Sequence, residues 1–138
     1  MNTSTKLINN IVVHHQLFAD LAQEADQCYK NESYTAALAC LFVLAESSLK
    51  YKIEADSQDK LGLYAAIEQA RGDRYITDSE AKQLHTLRQL RNELFHNDSY
   101  AGTLVVGELS YPLYEHASKQ LIYEMNWKFV FKLVLKLV

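Results

Sequence analysis

Residues that interrupt helices are scarce in this chain, because its 138 residues contain four glycines and a single proline, Pro112. Glycine and proline are the strongest local breakers of regular structure, so the long stretches between them can form continuous elements. Hydrophobic residues make up 49% of the chain, which is enough for one core in a domain of this length. These features predict an all-α fold in which residues 1–138 form a single domain.

The spacing of apolar residues predicts four to five helices. We expect helices over residues 5–30, 34–53, 59–70, 77–95 and 112–138, the last opened by Pro112. Thr77 can cap the start of the fourth helix, and Glu80 three residues later would complete a capping box. Residues 97–110 form the longest irregular stretch, although 103–109 could be a short strand.

The C-terminal residues 128–138 fit either a helix or a strand. On a helix, lysines that recur every four residues would form a narrow basic stripe on an apolar rod: Lys128, Lys132 and Lys136. On a strand, alternate residues would form an apolar face: Phe129, Phe131, Leu133, Leu135 and Leu137. The helix is favoured, because apolar residues from Tyr114 to Met125 lead into it with helical spacing. Such a rod must be covered, and we expect an oligomer interface to cover it.

Charge and motifs exclude several classes of function. The formal net charge is −3 at pH 7, so the chain has no global positive field to attract nucleic acid. RNA binding would therefore require a local patch, or a patch formed where two subunits meet. The sequence has no glycine-rich phosphate loop, no recognisable serine nucleophile motif and no metal motif such as His-Glu-x-x-His. We therefore expect neither a metal nor a cofactor.

Three features predict a cytoplasmic protein that does not associate with membranes. Cys28 and Cys40 lie inside helical patterns without metal-ligand spacing, which favours buried free thiols in a reducing compartment. Residues 1–16 lack a basic segment followed by an apolar one, so we expect no signal peptide. No segment approaches the roughly 20 apolar residues of a membrane-spanning helix.

Arg91 interrupts the apolar stripe of the helix predicted over residues 77–95. The stripe consists of Leu84, Leu87, Leu94 and Phe95. Burying a charge is costly unless it is paired, so an arginine at this position needs a physical reason. One reason is a structural ion pair in the core. The other is an anion site, because the guanidinium fork matches the geometry of a phosphate.

His96 follows Arg91 after four intervening residues. On a regular helix the two side chains would diverge by roughly 140°, so they share a face only if the helix ends or unwinds near His96. The polar residues 97–99 favour such an ending. Asn92 and His96 are four residues apart and do share a face.

Residues 91–96, Arg-Asn-Glu-Leu-Phe-His, resemble the Arg-x(4–6)-His signature of the HEPN superfamily of helical domains. The resemblance implies an antiparallel helical bundle and a homodimer in which the two motifs face each other. Many HEPN members are metal-independent ribonucleases, and many of those are toxins or phage-defence effectors. Some of these toxins carry a tyrosine two residues after the histidine, which a partner nucleotidyltransferase modifies. Asp98 occupies that position here.

The chemistry that this resemblance implies needs no metal, because RNA carries its own nucleophile, the 2′-hydroxyl. A histidine side chain ordinarily titrates in the range required of a general acid or base, so His96 could take either role. Arg91 could hold the phosphate oxygens through two parallel hydrogen bonds. Asn92 could orient the scissile phosphate or His96.

Glu46 is the second unusual residue, because it directly follows an uncharged run over residues 34–45. It lies at the edge of the apolar face of its predicted helix. It could be a rim carboxylate that reaches water. Alternatively, it could be the buried partner that Arg91 requires. HEPN domains often carry an acidic residue in the second helix near the motif, so the resemblance points to the same pairing.

The preferred function is a metal-independent endoribonuclease that cleaves RNA, in the manner of a toxin or defence effector restrained by an antitoxin or nucleotidyltransferase partner. The alternative is a non-catalytic HEPN-like module that binds a nucleotide, RNA or a protein partner and uses Arg91 structurally. A third hypothesis is a helical adaptor whose C-terminal rod docks a partner.

Overall fold

The computed structural model describes residues 2–55, 61–95 and 102–138. Within these ranges the chain forms six helices and one two-stranded antiparallel sheet. The helices are α1 (Thr3–His14), α2 (Gln16–Lys30), α3 (Tyr34–Lys52), α4 (Leu63–Gly72), α5 (Asp78–Phe95) and α6 (His116–Leu137), and the strands are β1 (Thr103–Val106) and β2 (Leu109–Pro112). The predicted helical character is confirmed, whereas the helix count and the hairpin differ from an all-α bundle of four to five helices.

A break at His15 divides the helix predicted over residues 5–30 into α1 and α2. The backbone of His15 is extended, with φ −156° and ψ 102°. Its Nδ1 accepts the backbone N–H of Phe18 at 3.3 Å, and its ring stacks on the Phe18 ring at 3.7 Å between centroids. His15 therefore ends one helix and caps the next. Histidine is not among the preferred capping residues, so the sequence pattern did not reveal this break.

Helix α3 is the centre of the fold, because α2, α4, α5 and α6 all pack against it. Its buried apolar residues lie on more than one side: Ala37, Leu38, Leu41, Phe42, Leu44, Ala45 and Leu49. The buried Ser48 hydroxyl donates to the carbonyl of Ala45 at 3.0 Å, so it carries no unpaired polar atom into the core. The absence of charge over residues 34–45 reflects this central position.

Residues 128–138 form the end of α6, so the preference for a helix over a strand is confirmed. The start predicted at Pro112 is wrong, because Pro112 pairs with Thr103 at the end of the hairpin and α6 begins at His116. Within this segment the chain itself buries Val130, Phe131, Leu133, Val134 and Leu137, whereas Phe129 and Leu135 are half-buried. The oligomer interface expected to cover the rod stays a prediction.

Where the sequence suggested one short strand over residues 103–109, the structure has a hairpin formed by β1 and β2. Its two-residue turn places Gly107 first with φ +61°, a conformation that glycine adopts without strain. Leu104 is buried and joins the hydrophobic core, which attaches the hairpin to the helices. In the described part of the chain, no helix is long and apolar enough to cross a membrane.

The predicted capping box at the start of α5 is confirmed. The N–H of Thr77 donates to Glu80 Oε1 at 2.8 Å, and the N–H of Glu80 donates to Thr77 Oγ1 at 3.1 Å. Lys136 near the end of α6 donates to the same Glu80 oxygen at 2.6 Å. The carboxylate therefore caps α5 and joins its first turn to the last turn of α6.

We expect Glu80→Ala to lower the free energy of unfolding at pH 7 by about 1–2 kcal/mol, because it removes both the cap and the ion pair. Burial acts to raise the pKa of the Glu80 carboxyl, but Lys136 and Thr77 outweigh it and leave that pKa below its usual value. The contribution is therefore present above the unfolded-state pKa of about 4.3. It is lost as the pH falls through the lower folded-state pKa.

Urea unfolding at pH 7 and in acid measures this contribution. Glu80→Gln is the matched control, because the amide can still accept the N–H of Thr77 but cannot titrate. The parent chain should lose stability in acid relative to this variant. An equal dependence on pH in the two proteins would contradict the assignment.

Candidate functional site

The motif lies at the C-terminal end of α5. This helix is fixed to the core by its buried face, which consists of Ala81, Leu84, Leu87 and Leu90. Arg91 and Asn92 follow in the last turn, and both side chains are half-buried. His96 and residues 97–101 lie outside the described residues, so the prediction that Arg91 and His96 share a face stays a prediction.

Glu46 on α3 is the partner of Arg91, but the pair is not buried as the pairing hypothesis predicted. Arg91 Nη1 lies 3.6 Å from Glu46 Oε1, and Lys50 Nζ lies 3.5 Å from the same oxygen. The side chains of Arg91 and Glu46 are 30% and 29% exposed, so the pair also reaches water, as a rim carboxylate would. The Arg91 contact is too long for a good hydrogen bond. Glu46 therefore attracts the guanidinium without occupying its N–H donors.

An apolar groove lies beside Arg91, between α3 and α5. Its volume is about 190 Å³, and it is lined by Ala39, Phe42, Val43, Glu46, Arg91 and Phe95. The Phe95 ring meets the Phe42 ring edge-on, with 6.0 Å between centroids. Val43 and Phe95 are each 48% exposed. The groove is smaller than a typical site for a drug-sized ligand, so its size suits a single ring.

The groove corrects one expectation from the sequence. Phe95 was assigned to the apolar stripe of its helix, but it forms the outer wall of the groove because it lies in the last turn of α5, at the edge of the buried face. The contribution of Ala39 and Val43 was also missed. Both come from the uncharged run in α3, and no pattern in that run distinguishes a groove wall from core.

A second polar cluster joins α4 to α5. Arg71 Nη2 donates to Glu68 Oε1 at 2.8 Å, and His85 Nε2 lies 2.8 Å from Glu68 Oε2. Arg88 Nε donates to His85 Nδ1 at 3.3 Å, which leaves His85 Nε2 as the nitrogen that donates to Glu68. Hydrogen bonds from His85 and Arg71 lower the pKa of the Glu68 carboxyl, so this carboxylate is charged at neutral pH.

Tyr64 completes this cluster from α4. The Arg88 guanidinium lies over the Tyr64 ring at 5.2 Å, and the His85 ring lies 4.9 Å from it. Sequence reasoning missed the cluster, because every member is polar or exposed and its contacts connect two different helices. Spacing along one helix contains no information about such contacts.

The described ranges contain no group of three or more His, Cys, Asp or Glu side chains that could hold a metal ion. Cys28 and Cys40 are free and half-buried rather than fully buried. Burial and the nearby Glu24 carboxylate raise the pKa of the Cys40 thiol to about 11. Cys40 is therefore protonated, and a poor nucleophile, at neutral pH.

We expect Glu46→Ala to lower the free energy of unfolding by less than about 1 kcal/mol. A fully buried pair would cost about 3–5 kcal/mol when one partner is removed, but this pair is partly exposed and not hydrogen-bonded. Chemical denaturation of Glu46→Ala, Arg91→Ala and the double variant measures the coupling between the two residues. Glu93→Ala, which removes an exposed carboxylate from α5, is the matched control. Strictly additive effects would show that Glu46 and Arg91 do not interact.

Comparisons with models of protein families, with curated proteins and with solved structures found no match for this chain.

Proposed function

We propose that this chain is a HEPN-like, metal-independent endoribonuclease that cleaves RNA by attack of the 2′-hydroxyl. The observation that carries the proposal is the state of Arg91 at the edge of the groove. Glu46 attracts its guanidinium from 3.6 Å, too far for a good hydrogen bond, and its N–H groups have no closer acceptor among the described residues. A guanidinium held in this way is suited to bind the two free oxygens of a phosphate.

In the proposed reaction, Arg91 holds the scissile phosphate and the neighbouring base or ribose occupies the groove of about 190 Å³. A general base removes the proton of the 2′-hydroxyl, and the resulting oxygen attacks phosphorus. The bond to the 5′-oxygen then breaks, and a general acid protonates that oxygen. His96 takes a proton-transfer role, while Asn92 orients the phosphate or His96. The products are a 2′,3′-cyclic phosphate and a 5′-hydroxyl.

The proposal includes a homodimer in which both motifs contribute to one cleft. A single arginine and a single histidine make a sparse active site, and a second copy would supply the other proton-transfer group. The half-exposed side chains of Val43 and Phe95 lie beside Arg91 and provide apolar area for such a contact. Light scattering at micromolar concentration should report a dimer. A monomer that cleaves RNA at full rate would rule out the composite site.

An active ribonuclease in the cytoplasm, where we place this chain, would require restraint. A partner antitoxin or nucleotidyltransferase would supply it, and Asp98 argues against the tyrosine-modifying mode. The parent chain should then be poorly tolerated when expressed alone. Tolerance should return when His96 is replaced or when the partner is coexpressed.

Incubation of the purified chain with RNA in EDTA tests the activity. We expect fragments that end in a 2′,3′-cyclic phosphate, and we expect DNA of the same sequence to remain intact because it lacks the nucleophile. Arg91→Ala, purified in parallel, controls for contaminating nucleases. Cleavage that requires Mg²⁺ would overturn the mechanism.

A non-catalytic binding module is the second candidate. The net charge of −3 and the apolar lining of the groove favour it, because both suit a small ligand or a protein partner better than a long nucleic acid. Such a module would leave RNA intact. The parent chain and the His96→Ala variant would then express equally well.

A further inference from the structure

The contacts that hold Arg88 have no role in the reaction proposed above. Arg71, Glu68, His85 and Arg88 form a continuous chain of hydrogen bonds from α4 to α5, with distances of 2.8, 2.8 and 3.3 Å. The last acceptor, His85 Nδ1, is a ring nitrogen and takes only the Nε–H of Arg88. The chain therefore orients the Arg88 guanidinium, and its terminal nitrogens have no hydrogen-bond partner within residues 2–55, 61–95 and 102–138.

The contacts of Arg88 differ from those of the neighbouring arginines. Among the described residues, its side-chain partners are His85 and the face of Tyr64, and neither is a carboxylate. This distinguishes Arg88 from Arg71, which contacts Glu68 and Asp78, and from Arg91, which contacts Glu46. A half-buried arginine that makes no ion pair with a carboxylate in the described part of the chain is suited to bind an external anion.

The position of Arg88 on α5 relates it to the motif. Arg88, Asn92 and Phe95 are spaced i, i+4 and i+7, so they lie on one face of the helix. Arg91 lies one turn after Arg88 on α5. The Arg91 side chain contacts Glu46 on α3, whereas the Arg88 side chain contacts Tyr64 on α4. An RNA strand held by its phosphate at Arg91 could therefore present its next phosphate to Arg88.

Tyr64 supplies the other half of such a subsite. More than half of its surface is exposed, and Arg88 and His85 keep the ring in place. Exposed aromatic rings next to cationic side chains are a common arrangement for binding single-stranded nucleic acid, because every base has a face that can stack.

We propose that Arg88 and Tyr64 form a second nucleotide subsite, in which the guanidinium binds the phosphate next to the scissile one and the Tyr64 ring stacks on the adjoining base. This inference rests on the proposed function, since it assumes that RNA reaches Arg91. It adds that the substrate is a single strand longer than a dinucleotide, because a dinucleotide has no phosphate to offer Arg88.

The subsite can be tested by measuring RNA binding through fluorescence anisotropy. The probe is a labelled 2′-O-methyl RNA of about 12 nucleotides, which is long enough to reach both Arg91 and Arg88 and cannot be cleaved. We expect Arg88→Ala to weaken binding about tenfold and to reduce the slope of log affinity against log salt by about 0.7. Lys128→Ala removes an equal charge from an exposed position on α6, and it should change neither quantity appreciably. Tyr64→Ala should also weaken binding about tenfold, whereas Tyr64→Phe should not, because the ring remains.

Cleavage of two substrates separates this inference from the proposed function. Arg88→Ala should lower kcat/KM for a long RNA about tenfold and leave cleavage of a dinucleotide unchanged. The subsite is overturned, and the ribonuclease stands, if the parent cleaves RNA but Arg88→Ala behaves like Lys128→Ala. The ribonuclease fails, and the subsite stands, if the parent binds RNA through Arg88 without cleaving it. If the parent chain does not bind RNA, both are wrong.

Discussion

Phe131→Ala is expected to lower the free energy of unfolding by about 3–5 kcal/mol, the range for truncating a buried aromatic side chain. Phe131 is 0% exposed, and its ring packs edge-on against the ring of Trp127 at 5.4 Å. Truncation would leave a cavity in the core formed by α6 and α3. Chemical denaturation followed by circular dichroism measures the loss.

Lys132→Ala is the matched control, because Lys132 is the next residue on α6 and is exposed. It should change the free energy of unfolding by no more than about 0.5 kcal/mol. The loss in Phe131→Ala should also be independent of protein concentration, since the cavity lies within one chain. A loss that grows on dilution would mean that α6 contributes to an oligomer interface after all.

His96→Ala is expected to lower the rate of RNA cleavage by about 10²–10⁴-fold while leaving RNA affinity nearly intact. A general acid or base contributes to the transition state and little to ground-state binding. Arg91→Ala should lose both rate and affinity, because its guanidinium would contact the phosphate in the ground state as well. Single-turnover rates and binding to uncleavable RNA separate the two quantities.

His14→Ala provides the control for a histidine outside the site, because His14 is exposed at the end of α1. This variant should cleave at the parent rate. Cleavage that survives His96→Ala would exclude the proposed role of the histidine and favour the binding-module hypothesis.

Sequence reasoning predicted helix bounds and caps well where residues close together in the chain determine them. The span of α3 differs from its prediction only at the last residue, and the Thr77 capping box forms as expected. Such features depend on residues close together in the chain. The His15 cap and the hairpin were harder to predict. The first uses an uncommon capping residue, and the second depends on pairing between two short strands.

The candidate site was predicted in part. A charge inside an apolar stripe and a carboxylate after an uncharged run identified Arg91 and Glu46, and the structure brings them together. Their half-exposed state could not be read from the pattern, because it depends on how α5 ends against α3. The Arg88 chain was missed because polar residues at exposed positions are usually solvated, and only the packing of α4 on α5 shows that these are connected.

The place of α6 in the chain has a consequence for biosynthesis. Helix α6 follows every helix that it covers, and its apolar residues bury part of α3. During synthesis, a nascent chain that has not yet produced α6 leaves that part of α3 open to water. Because α3 also supplies one wall of the groove beside Arg91, that wall gains its full packing only after α6 has left the ribosome. A chain still being translated would therefore carry the motif beside an incompletely packed groove, and the proposed cleavage of RNA would begin only once α6 has folded onto α3.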